Sequence, residues 1–252
     1  MPFRLVAIGD STVEGLEDPG PDGVYIGWAD RFARHLDVLH PGLLYANLAV
    51  RGQTAREVHE TQLRPALALS PDLAVVVAGV NDVLRPRFDR DALRDDLFAM
   101  HAVLAATGAQ VITFTMPDME RVAPLAVVLR RRLQFLNSVT LACREQYGSI
   151  VVDLASVPAT GHPAFWHTDR LHGNSEGHRR VAAALAEAVG LEVTDWRAEP
   201  PPGPRPGLMR VALGEAGWAG SHVIPWAWEH VRGQSQAGEE VTCKRPNLLP
   251  VT

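Results

Sequence analysis

The chain has 252 residues, of which 46% are apolar and 21% charged, with a formal net charge of −5. That is enough apolar chain for one large domain, or one domain with an extension, to bury a core without disulfide or metal staples. The acidic balance gives no surface for nucleic acid, and Arg130-Arg131-Arg132 reads as a solvated helix face; the two cysteines, Cys143 and Cys243, form no disulfide framework. The start MPFRLVAIGD carries no leader pattern and no run of 18 apolar residues occurs, so the expectation is a cytoplasmic chain without a membrane span.

Residues 3–8 form a continuous apolar run that predicts a buried strand, turning at Gly9-Asp10-Ser11. Trp28, Phe32, Leu36 and Leu39 recur at helical spacing, and residues 43–50 are a second strand candidate. Residues 54–69 are helical, opened by Thr54 with Glu57 three positions on, a capping-box pattern. The run 73–78 (LAVVVA) is the strongest strand. A helix over 89–107 is ended by Gly108, and a fourth strand covers 111–115. Leu125, Leu129, Leu136, Val139 and Cys143 mark one long helix, 150–152 a short fifth strand, and 175–189 a closing helix.

Strands alternating with helices predict an α/β fold with a parallel sheet covered on both faces, its sites in the loops after the strands' carboxyl ends. Ser11 follows the first strand, Gly52 the second and Asn81 the third. The division expected is a domain over 1–190 and an extension over 191–252. In that extension, 199–207 is a Pro/Gly-rich strap. The aromatic segment 218–232, with Trp218, Trp226 and Trp228, is expected to pack on the domain or to form a homo-oligomer contact. Residues 233–252 read as irregular.

Four short blocks carry chemistry, and each has a bland counterpart. Ser11, exposed where a strand turns into a helix, suits a nucleophile beside backbone N–H groups or a simple helix cap. In Asp169-Arg170-Leu171-His172 a carboxylate can curl onto the imidazole Nδ1 and leave Nε2 free; the bland reading is a surface pair. Asn81 in Gly79-Val80-Asn81-Asp82 offers an amide donor or a turn, and Gly52 offers a close backbone N–H or a turn.

Taken together, Gly9-Asp10-Ser11-Thr12-Val13-Glu14-Gly15, the stretch ending at Gly52, Gly79-Val80-Asn81-Asp82 and Asp169-Arg170-Leu171-His172 resemble the SGNH (GDSL-like) hydrolase family over residues 3–190. The resemblance implies a flavodoxin-like three-layer α/β/α sandwich around a five-stranded parallel sheet. It implies a serine esterase with Ser11 as nucleophile, His172 as base and Asp169 beside it. The oxyanion donors would be the Ser11 and Gly52 N–H groups and the Asn81 side chain, with no metal or organic cofactor. Substrates of such a family include simple carboxylic esters, O-acetylated sugars, lysophospholipids and thioesters. Tyr25, Phe165 and Trp166 are candidates for an apolar substrate wall, within pocket loops 16–25, 117–124 and 155–166.

The same residues carry rival readings. Gly173-Asn174-Ser175-Glu176-Gly177 fits G-x-S-x-G, but no strand precedes it, so Asn174 or Ser175 reads as a helix cap. His162, His167, His172 and His178 surround Asp169 without a known zinc-ligand spacing. A non-catalytic binding module would lack a member of the Ser11–His172–Asp169 set, and none is missing.

Overall fold

The first three strands end in register, and this is what gathers the site. In β1 (Arg4–Gly9), β2 (Leu44–Asn47) and β3 (Leu73–Val77), Ala7 pairs with Asn47 and Gly9 with Val77, so the loops that follow all open at one sheet edge. The computed structural model describes residues 1–21, 23–118, 120, 122–200 and 242–251. With β4 (Gln110–Phe114), β5 (Ile150–Val152) and β6 (Arg245–Pro250) the sheet order is β5-β4-β3-β1-β2-β6. The chain leaves β1 toward β2 and then crosses back to β3 on β1's other side. That reversal is the switch point at which open α/β sheets present a crevice.

Every residue of β3 is buried, so both faces of the sheet must be covered. The short α1 (Ser11–Glu14) follows β1, and α2 (Gly27–Leu39) packs on α7 (Ser175–Ala188). On the opposite face α3 (Ala55–Ala68) packs on α5 (Arg90–Ala106), and α5 on α6 (Arg130–Tyr147); α4 (Val80–Leu84) follows β3. The capping box is present: the Thr54 N–H donates to Glu57 Oε2 at 2.7 Å and the Glu57 N–H returns to Thr54 Oγ1 at 3.3 Å.

Two expectations are corrected. Among the described residues the sheet has six strands, not five. Residues 245–250, read as irregular, run antiparallel along β2, with Arg245 donating to the Tyr45 carbonyl at 2.8 Å. The sequence RPNLLP hides this strand because it is an outer one, where prolines are tolerated and one-sided burial is weak. The helix marked by Leu125 to Cys143 is two pieces, a 3₁₀ segment over Pro124–Leu129 and then α6. Beyond residue 190, Trp196 is 3% exposed and joins the core. Trp218, Trp226, Trp228 and most of the 199–207 strap lie outside the described residues. Among the described residues no helix is long and apolar enough to cross a membrane.

Candidate active site

Ser11 is positioned by the tight β1–α1 turn. A Cβ on Gly9 would lie 2.1 Å from the Val77 carbonyl oxygen and 2.4 Å from Val13 Cγ2, so only glycine allows β1, β3 and α1 to meet here. Asp10 caps α1, accepting the Thr12 N–H at 3.0 Å and the Thr12 hydroxyl. Burial pushes the Asp10 carboxyl up from its ordinary value, against the Thr12 bonds that favour the anion. Gln62, reaching from α3, clamps the same turn by accepting the Gly9 N–H at 2.9 Å and donating to the Gly9 carbonyl at 2.8 Å.

His172 sits in a loop that arranges its own partner. Arg170 adopts a left-handed conformation (φ 60°), which lets Asp169 Oδ1 accept the Leu171 and His172 N–H groups at 3.0 and 3.1 Å. Asp169 Oδ2 then lies 2.7 Å from His172 Nδ1, and His172 Nε2 lies 2.9 Å from Ser11 Oγ. Burial disfavours the Asp169 anion, but its bonds to His172 and to the two backbone N–H groups outweigh that and hold the carboxyl down at about 2. The ionised Asp169 therefore fixes the tautomer: Nδ1 carries the proton and Nε2 accepts from the serine hydroxyl.

Gly52 follows β2 with φ 78°, and its N–H has no acceptor among the described residues. Asn81 stands in the first turn of α4, with Nδ2 donating to the Gln53 carbonyl at 2.9 Å and to Asp10 Oδ2 at 3.3 Å. Loops from β1, β2 and β3 and the loop before α7 thus converge, as the four sequence blocks require. Residues 7–180 match the GDSL-like Lipase/Acylhydrolase family.

The chain belongs to this family. A GDSL-like acylhydrolase of this kind is an ester-hydrolysing enzyme. An acetylxylan esterase of Geobacillus stearothermophilus is 24% identical over 212 residues, 75% of this chain and 94% of its own length. A crystal structure of an acetylxylan esterase from that organism shares the fold with a TM-score of 0.64, at 23% identity over 77% of this chain and 95% of the other. LAE5, an alpha/beta hydrolase enzyme from the metagenome of Lake Arreo, gives 0.62 at 24% identity over 75% and 97%.

The remaining candidates of this GDSL-like enzyme separate. Phe165 and Trp166 share a cavity wall with His172, whereas Tyr25 does not join them and lies beneath the Arg51 guanidinium, 5.7 Å from its ring centroid. Asn174 caps α7, and the Ser175 hydroxyl donates to Asp18, so the G-x-S-x-G match is a helix start. The four histidines do not gather: His162 Nδ1 accepts the Ala164 N–H, while His178 Nδ1 accepts the Trp28 N–H and Nε2 donates to the Leu16 carbonyl. Besides His172, His167 approaches Asp169, its Nδ1 3.7 Å from Oδ1, and ligand-type atoms of Glu17, His167 and Asp169 lie within 4.8 Å of one another.

Sequence reasoning missed three supports of the site: Gln62, Asp18 and Asp82. Asp18 binds Arg31 at 2.8 Å and the Gly27 N–H at 3.1 Å, tying the loop after α1 to α2. Asp82 accepts the Ala55 N–H at 2.8 Å, and burial raises its carboxyl to about 6. Only Gln62 left a signal, a polar residue on the stripe that Val58 and Ala66 bury.

Proposed function

We propose that this enzyme cleaves carboxylic esters through an acyl-enzyme on Ser11. The observation that carries the reading is the continuous set of contacts Ser11 Oγ–His172 Nε2–Nδ1–Asp169 Oδ2, at 2.9 and 2.7 Å. His172 Nε2 takes the hydroxyl proton as Ser11 Oγ attacks the ester carbonyl carbon. The tetrahedral oxyanion faces the Ser11 and Gly52 N–H groups, neither of which has an acceptor among the described residues. Asn81 supplies the third donor by giving up its longer bond, the 3.3 Å one to Asp10. His172 returns the proton to the leaving alcohol oxygen, the carbonyl re-forms, and water repeats the sequence on the acyl-enzyme. Asp169 stays ionised throughout and steadies the imidazolium. Structures of the Geobacillus acetylxylan esterase with a serine, an aspartate or a histidine replaced by alanine are described as catalytic mutants, which agrees with this assignment of roles.

A second reading, O-deacetylation of a carbohydrate, is favoured by the acetylxylan esterase relative. Both readings use the same machinery and differ in the alcohol released. A fluorophosphonate probe followed by peptide mapping tests the shared step. The expected result is a single adduct on Ser11 and at least a 10⁴-fold lower kcat/KM for p-nitrophenyl ester hydrolysis in Ser11→Ala, on the order seen when a catalytic serine is removed. An adduct on Ser175, or near-normal turnover by Ser11→Ala, sinks it.

A further inference from the structure

Thr12 and His172 line a cavity of about 70 Å³ together with residues of β4, the 154–166 turns and α7. Its walls are Trp28, Phe114, Met116, Phe165, Trp166 and Trp196. The polar side chains there are already engaged. Thr12 donates to Asp10, Thr160 to the Leu154 carbonyl, the Trp166 indole to the Thr160 carbonyl and the Trp196 indole to Glu187. The Arg180 guanidinium sits over the Phe165 ring, 3.8 Å from its centroid, and donates to Glu176 and to the Trp196 and Ala198 carbonyls. Of the polar side chains in the wall, only the Trp28 indole has no hydrogen-bond partner among the described residues. Such a chamber cannot repay the desolvation of a sugar's hydroxyl groups or of a charged head, whereas an alkyl chain loses nothing by entering it.

Resting on the Ser11 acyl-enzyme reading, we infer that this cavity holds the acyl chain and that the enzyme prefers butyryl to hexanoyl esters over acetyl esters. One water-sized group needs roughly 10–15 Å³ of such space, so the chamber admits about five to seven, where an acetyl methyl fills one. Each methylene buried there should raise kcat/KM about fourfold until the chamber is full.

The test is a p-nitrophenyl ester series from acetate to decanoate, run beside acetate esters of lengthening alcohols. The expected result is a rise from acetate to butyrate or hexanoate, a fall by decanoate, and no such rise in the alcohol series. Val181→Phe, which narrows the cavity, should lower the hexanoate-to-acetate ratio at least tenfold, and Met116→Ala should move the optimum to a longer chain. Highest activity on acetate, or a length preference that follows the alcohol, overturns the inference while leaving the esterase intact. No hydrolysis of any ester together with no probe adduct on Ser11 overturns the underlying reading instead. The wild-type series decides the matter even where a cavity variant fails to fold.

Discussion

The loop before α7 and the first turns of α7 each carry a histidine with both ring nitrogens bonded, and the two are bonded to opposite kinds of partner. Burial does not separate them, since His172 is 8% exposed and His178 4%. Their partners do. His178 accepts a backbone N–H from Trp28 and donates to the Leu16 carbonyl, and neither partner can take or release a proton. It fastens α7 to α2 and to the segment after Ser11. His172 faces a hydroxyl on one side and a carboxylate on the other, so its proton has somewhere to go. On the proposed reading, His172 and not His178 is the base because of what it touches.

The comparison can be broken most forcefully at Asp169. Asp169→Asn removes the anion that fixes the His172 tautomer, and kcat should fall about 10⁴-fold with little change in Tm. Near-normal turnover would reduce Asp169 to a loop support. His178→Gln should show the reverse pattern. Orphaning the Trp28 N–H and the Leu16 carbonyl costs about 1–3 kcal/mol each, so urea midpoints should drop while activity of the folded enzyme changes less than tenfold. Loss of activity at unchanged stability would place His178 in the chemistry.

The smallest effect is a pH dependence. Burial lowers the His178 pKa below its ordinary 6.5, with the Leu16 bond and Asp18 opposing and His172 and Arg31 reinforcing. A folded-state pKa below the unfolded one contributes stability that is complete above pH 6.5 and is lost as the pH falls. Wild type should therefore lose more stability between pH 7 and pH 5 than His178→Gln does, measured as the shift in urea midpoint. Equal shifts would mean that another group carries the acid sensitivity. His101 is the first to examine, since burial holds it down at about 4.

Much of the site was legible in the chain because its parts are short and local. The Asp169–His172 pair closes within one turn, and Gly9-Asp10-Ser11 follows directly from a strand end, so four blocks in order placed the groups that converge. The substrate wall was legible only in part. Phe165 and Trp166 line the cavity, but Tyr25 does not, and Met116 and Trp196 drew no notice as wall residues because nothing in their neighbours marks them.

The sequence by itself determined β1, β3 and β5, the capped start of α3 and the residues that meet at the crevice. Apolar runs, caps and glycine turns act over a few residues, and their free energies are decided locally. Tertiary structure alone decided that Gln62 clamps Gly9, that His178 fastens α7 to α2, that residues 245–250 extend the sheet beyond β2 and that Trp196 lines the cavity. Each of these depends on a partner far along the chain, and no local preference of the residue itself encodes which partner folding will bring.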